Sequence, residues 1–171
     1  MIIKKIGEMF GEAQSQDQQW MFAYGSLSST NLRHLLLDEV LPVAPCRISK
    51  DMGYKRKWIQ NQALKSITSG IFKDDNPVDI NGIIFPIKEI DFAKLDDYEY
   101  GYKRMLIDLD ILQIDGKERY EGAKIWIYIP DQEYEKPEFF KSLPTIYVDY
   151  CMKGFAEVSE DYMIEFAKTT D

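Results

Sequence analysis

"MFAYGSLSSTNLRHLL", residues 21–36, decides how the rest of the chain is placed. An apolar and aromatic run stops at Gly25-Ser26, and a row of hydroxyls then leads into leucines. "WMFAY", Trp20 to Tyr24, is too short for a whole helix and is expected to be a buried strand. Ser28 or Ser29 is expected to cap a helix that carries Leu32, Leu35 and Leu36 on one face. "LPVAP", 41–45, is expected to end it, because prolines break helices and extend their neighbours. Between strand and helix, Gly25 and Ser26 admit two readings. One is chain punctuation, since both are common turn residues. The other is a cluster of unpaired N–H groups at a helix start, able to hold an anion or a developing oxyanion.

Working outward, the 171 residues suit one domain, and 45% hydrophobic residues suffice for a core. Residues 1–18 end in the polar "GEAQSQDQQ" and read as a tail or short helix before a domain over 19–171. The net charge of -8 argues against a nucleic-acid partner and gives no support to an anionic membrane surface. "YKRKW", Tyr54 to Trp58, is the best basic cluster; strand periodicity is expected to turn it outward. The opening "MIIKKIGEMFGEAQ" is interrupted by charge and has neither a signal-peptide core nor a membrane span. Cys46 and Cys151 form no CxxC and His34 is the single histidine, which excludes an ordinary Cys/His zinc site. The sequence leaves a disulfide between them open, but two isolated thiols read better as buried apolar groups in a reducing compartment, from which a cytoplasmic location follows. Nothing in the sequence signals an oligomeric state.

The middle of the chain is rich in strands. "CRISKDMGYKRKWI" reads as a bent strand or a pair, with Gly53 at the bend. "SITSGIFK" and "INGIIFPI" flank "DDNPVD", a strong turn signal, and are expected to form a hairpin. "KEIDFAKLDDYE" fits a short helix with Ile90, Ala93, Leu95 and Tyr98 inward. "YKRMLIDLDILQI" and "AKIWIYI" alternate cleanly, the latter with Ile125, Ile127 and Ile129 opposite Trp126 and Tyr128. "TIYVDYCMKGFAEV" has helical spacing at Tyr147, Cys151, Gly154 and Val158, and "SEDYMIEFAK" adds a helix capped by Ser159. The order predicts an α+β fold, a strongly bent sheet or small barrel flanked by helices.

Few residues are placed for chemistry. His34 sits among leucines and offers no triad, and no phosphate-binding glycine loop is present. Asp108 and Asp110 share the solvated face of a strand. What remains beside the Gly25 turn is "LDDYEYGYKR", Leu95 to Arg104, where Glu99 lies between Tyr98 and Tyr100. A carboxylate among aromatic rings has a raised pKa and suits a general acid/base. The plainer reading is a helix end with solvated acids and half-buried tyrosines.

"FAYGSL" followed some seventy residues later by "LDDYEYGYKR" resembles the gamma-glutamylcyclotransferase-like family, which includes the AIG2-like proteins. The matching positions of the second motif are Leu95, Asp96, Glu99, Tyr102 and Arg104. "GIFKDDNPVDINGIIFPI" and "LPTIYVDYCMKGFAE" are similar to further stretches of the family, so the resemblance covers roughly residues 20–157. It implies a small twisted antiparallel or mixed β-barrel with flanking helices and a pocket at its mouth. It also implies a cyclisation: the α-amine of a small γ-glutamyl substrate attacks its own γ-carbonyl, 5-oxoproline forms and the amine leaves, with no metal or organic cofactor. Glu99 matches the family's catalytic glutamate. By the same resemblance Tyr24, Gly25, Ser26, Leu27 and Tyr102 hold the substrate. The chain departs from the family at Tyr100, where glycine is usual, with Gly101 one place later, and at Gly154-Phe155, where Gly-Ala is common. Two alternatives stand beside the enzyme: a non-catalytic small-ligand or protein-binding module on the same fold, and transfer on a larger γ-glutamylated compound.

Overall fold

The computed structural model describes residues 1–5, 8–9, 19–61, 66–107, 112–113, 123–131 and 145–171. The strands are β1 (Ile2–Ile3), β2 (Gln19–Ala23), β3 (Pro42–Ile48), β4 (Tyr54–Asn61), β5 (Ser66–Lys73), β6 (Ile80–Ile87), β7 (Tyr102–Ile107), β8 (Leu112–Gln113) and β9 (Lys124–Pro130). The helices are α1 (Thr30–Leu37), α2 (Phe92–Tyr98), α3 (Thr145–Ala156) and α4 (Glu160–Thr169). The expected α+β class is what the chain adopts. The main sheet runs β1-β3-β6-β2-β9-β7, with β8 also on β3, and β4 and β5 form a separate ribbon. It is mixed: β2 lies antiparallel to β6 and parallel to β9. No ladder among the described residues closes it, so the expected barrel is an open sheet with a ribbon packed on it.

Both faces of this sheet are buried, which is why β6 is apolar almost without alternation. Trp20, Phe22, Ile84, Ile125 and Ile127 face the ribbon side with Ile71. Met21, Ile83, Phe85 and Tyr128 face the helix side with Leu32, Phe92 and Leu95. A third cluster joins α3 and α4 through Cys151, Phe155, Tyr162 and Phe166. Local signals set the helix ends. The Ser29 side chain accepts from the Leu32 N–H, and the Ser159 side chain from the Tyr162 N–H at 3.1 Å. Glu160 and Asp161 in the first turn of α4 complement its dipole.

Several expectations change. "SITSGIFK" and "INGIIFPI" do not pair; β5 pairs along its whole length with β4, from Tyr54↔Lys73 to Asn61↔Ser66. Apolar β6 is instead claimed on its two sides by β2 and β3, which bury more of it than one hairpin partner would. The prolines of "LPVAP" lie inside β3, while α1 ends at Asp38 in the left-handed region. Pro45 falls between the short partners β1 and β8, where, among the described residues, β3 has a neighbour on one side only, a position that tolerates proline. Leu35 is exposed and Arg33 and Leu37 take its place inside, because helix phase turns position 35 outward. Likewise Ile90 and Ala93 are exposed: α2 starts after a 3-10 turn at Glu89–Asp91, so its inner positions are Phe92 and Leu95. Arg56, expected outward with its basic neighbours, is fully buried. Gly53 does lie at the bend between β3 and β4, and the two alternating stretches are strands, β7 pairing antiparallel with β9. Both cysteines are free and buried. Residues 10–18, Asp108, Asp110 and the loop 132–144 lie outside the described residues. Among those described, no helix is long and apolar enough to cross a membrane.

Candidate active site

Where β2 ends, its two ladders end with it. The last registered pairs are Ala23 with Ile83 and Phe22 with Ile127. Gly25 follows, then a 3-10 turn at Ser26–Ser28, closed by Ser28 N–H to the Gly25 carbonyl and Ser29 N–H to the Ser26 carbonyl, each 3.0 Å. The N–H groups of Gly25, Ser26 and Leu27 bond to no described residue, as expected for the first donors of a helical turn. The Leu27 side chain is spent in the core, so only its backbone serves the turn. The punctuation reading holds, and the same turn leaves three N–H groups without a partner among the described residues.

Glu99 is the residue that ends α2, its N–H donating to the Leu95 carbonyl at 2.8 Å. The chain turns at once. Tyr102 N–H donates to the Glu99 carbonyl at 2.9 Å, and Gly101 takes φ 89, a left-handed conformation that suits glycine. The shift of this glycine by one place thus gives a tight turn that carries Glu99 and Tyr102 to the same side. Both line one cavity with Tyr24, Gly25, Ser26 and Leu27, so all six candidate residues meet. The cavity holds about 290 Å³ of atom-free space, its open mouth included.

Ser69, Tyr128 and Tyr147 also line it. Sequence reasoning missed them. Ser69 sits mid-strand on β5, Tyr128 was assigned only to a strand face, and Tyr147 only to a helix face. The one signal was "TSG" at 68–70, small residues inside an otherwise apolar strand, which often mark a close approach.

The hydroxyls are tied to the protein. Tyr24 donates to the Tyr128 carbonyl at 2.7 Å, and Tyr102 to the Ser69 carbonyl at 2.7 Å. Tyr147 meets the Ser69 hydroxyl at 2.9 Å and accepts from the Ser69 N–H at 3.1 Å. Tyr98 meets the Ser26 hydroxyl at 3.1 Å. With its own proton given to the Ser69 carbonyl, the Tyr102 oxygen accepts from the Thr68 hydroxyl at 2.7 Å.

Burial sets the charges. As a residue Glu99 is partly exposed, but its carboxyl lies deep, and desolvation pushes its pKa up to about 8. Burial also raises the phenols of Tyr24, Tyr102 and Tyr147, and the Glu99 charge raises them further. Tyr98 is pushed up to about 12. Glu99 is therefore the lining group that titrates near neutrality. No Lys, Arg or His is among the described lining residues. No group of three or more His, Cys, Asp or Glu among the described residues is placed to hold a metal ion.

Comparison with known proteins gives a match to the family model "Gamma-glutamyl cyclotransferase, AIG2-like" over residues 21–144. Solved structures of similar fold include a gamma-glutamyl cyclotransferase, with TM-score 0.63, 18% identity, and 90% of this chain and 88% of that one covered. The protein loc79017 from Homo sapiens gives TM-score 0.60 at 18% identity, covering 90% and 88%. A yeast gamma-glutamyl cyclotransferase specific to glutathione gives TM-score 0.55 at 12% identity, covering 89% and 95%. At such identities the likeness is one of fold. Comparison with curated proteins gives no match.

Proposed function

The chain belongs to the gamma-glutamyl cyclotransferase, AIG2-like family, and on that premise we propose that it cyclises the γ-glutamyl group of a small γ-glutamyl amine or amino acid to 5-oxoproline. The observation that carries this reading is the shared cavity: Glu99, made basic by burial, and the open N–H groups of the Gly25 turn line the same space.

Nucleophile and electrophile belong to one molecule, so the site needs mainly to fold the glutamyl chain into its reactive conformer. The substrate's α-ammonium meets an acceptor, the Glu99 carboxylate, in a cavity walled by Tyr24 and Tyr102. Glu99 takes a proton from it, and the freed amine attacks the γ-carbonyl carbon. A C–N bond forms, and negative charge gathers on the carbonyl oxygen. N–H groups of Gly25, Ser26 and Leu27 stabilise that oxygen. The bond to the leaving amine then breaks, and Glu99 returns the proton to the departing nitrogen. A pKa near 8 suits both steps, since it lies close to the working pH of the transfer. Ser26, held by Tyr98, orients the substrate head.

The test is a panel of γ-glutamyl amino acids, γ-glutamyl-lysine isopeptide, glutathione and small γ-glutamyl amines, assayed for 5-oxoproline. At least one is expected to turn over, and Glu99→Gln is expected to lower kcat by about 10²-fold or more. Binding across the panel with no turnover would instead support a non-catalytic module.

A further inference from the structure

Two arginines from different elements reach the same turn from behind. Arg33 on α1 donates from one nitrogen to the Leu27 carbonyl at 2.8 Å and the Ser28 carbonyl at 2.7 Å. Arg56 on β4 donates to the Tyr24 carbonyl at 3.0 Å. Both are buried to within 1%. The two guanidinium groups thus grip the carbonyls just before and just after Gly25-Ser26, the residues whose N–H groups are open.

Both arginines also serve the fold, Arg33 lying over the Phe85 ring at 5.3 Å and Arg56 over the Phe166 ring at 4.2 Å. Neither forms an ion pair with a carboxylate among the described residues; their bonds go to neutral groups. Arg56 also donates to the Asn81 side chain at 2.7 Å, Thr169 at 2.7 Å and Thr170 at 2.8 Å. The second terminal nitrogen of Arg33 donates to Thr30 at 3.1 Å and to the Met1 sulfur at 3.9 Å, and the Arg33 Nε is buried without a partner among the described residues. The carboxylates that favour their charge, Glu157 for Arg33 and Glu165 for Arg56, act without a direct ion pair, and burying a cation in this way is costly. Burial lowers both guanidinium pKa values to about 10, so both remain cationic at pH 7. Both charges lie behind the turn, and the described lining of the cavity has no cation of its own.

We infer that Arg33 and Arg56 are positioning residues of the site. By holding the carbonyls of the Tyr24–Ser28 segment, they fix its N–H groups toward the cavity and supply the positive field behind them. This rests on the cyclotransferase reading, in which those N–H groups meet the developing oxyanion. Donors held in advance need no reorganisation as charge develops, so the benefit falls on the transition state and on kcat.

The experiment compares wild type with Arg33→Lys and Arg33→Met, and with Arg56→Lys, on whichever panel substrate wild type turns over. It records kcat, KM and Tm, with activity expressed per folded molecule. The expected order of kcat is Arg, then Lys, then Met. Arg33→Met should lie about tenfold or more below wild type, with KM within about threefold, since the groups act on the transition state. If Arg33→Met does not fold, the two Lys variants, which keep the charge and part of the carbonyl bonding, carry the test through a severalfold loss of kcat at unchanged KM. Folded variants with lowered Tm but wild-type kcat would overturn the inference and leave the function standing. A wild type that makes no 5-oxoproline from any panel member would overturn the function, and the inference with it.

Discussion

The backbone of Gly25 packs directly on the side chain of Ser69: a Cβ added to the glycine would stand 2.4 Å from Ser69 Oγ and 3.2 Å from the Tyr147 hydroxyl. The serine hydroxyl is itself held by Tyr147 at 2.9 Å and cannot turn away without losing that bond. Gly25→Ala is therefore expected to destabilise by about 1–3 kcal/mol, as overpacking does, and to lower kcat/KM about tenfold or more by displacing the donor turn. Adding Ser69→Ala removes the nearest atom and leaves its Cβ at 3.8 Å, an ordinary contact. The double variant should regain most of the lost Tm, a coupling that a two-by-two cycle measures.

Glu99 ties stability to pH with a definite sign. Its pKa rises from the ordinary 4.5 when unfolded to about 8 when folded. Between those values the native state holds a proton that the unfolded chain has released. Stability from this group is thus full below about pH 4.5 and falls as pH rises to about 8. At ~1.4 kcal/mol per unit the loss is on the order of 3–5 kcal/mol. Glu99→Gln removes it. The variant should match wild type in Tm near pH 4.5 and exceed it by several degrees at pH 8.5, while losing activity. In wild type, kcat/KM should rise from pH 6 toward 8 as Glu99 ionises, before the substrate's ammonium begins to titrate. Thermal scans at the two pH values and initial rates across that range check both arms.

What the sequence made legible, and what it hid, follows the range of the interactions. Ile125, Ile127 and Ile129 announced a strand face because alternation is local, and they do share one cluster. The Tyr24–Leu27 turn and Glu99 stood out locally because each turn is built from its own backbone, whereas Tyr102 was named through the family resemblance; the structure brings them to one cavity. Strand partners were not. "DDNPVD" is a true break, but whether β5 pairs with β4 or β6 depends on burial distributed over the whole sheet. Arg56 was hidden for the same reason: its partners Tyr24, Asn81 and Thr169 lie 32, 25 and 113 residues away. Ser69 and Tyr147 look like any strand serine and helix tyrosine until β5 and α3 are brought to the cavity.

Asp38 provides a control outside the cavity. It ends α1 with φ 57, the one non-glycine residue with positive φ among those described, and its N–H donates to the His34 carbonyl at 2.9 Å. A left-handed helix end favours glycine. Asp38→Gly should stabilise by about 0.5–1 kcal/mol, read as a Tm gain of a few degrees. Activity should not change, because no Asp38 atom lines the cavity.

Gly154 separates packing from catalysis at the other side of the turn. Helix α3 lies so close to Ser28-Ser29 that a Cβ on Gly154 would stand 2.4 Å from the Ser28 carbonyl carbon and 2.5 Å from the Ser29 nitrogen. These are backbone atoms, pinned by the Arg33 bond to the Ser28 carbonyl and by the start of α1. Neither can rotate aside as a side chain would, so Gly154→Ala must part the helix from the turn. Tyr147 moves with α3, and its hydrogen bonds to Ser69 loosen. The variant should lose about 2–4 kcal/mol, at the upper end of overpacking. Unlike the Asp38 control it should also lose kcat/KM in the fraction that remains folded. Equal losses of Tm with full activity per folded molecule would show that α3 supports the fold without setting the cavity.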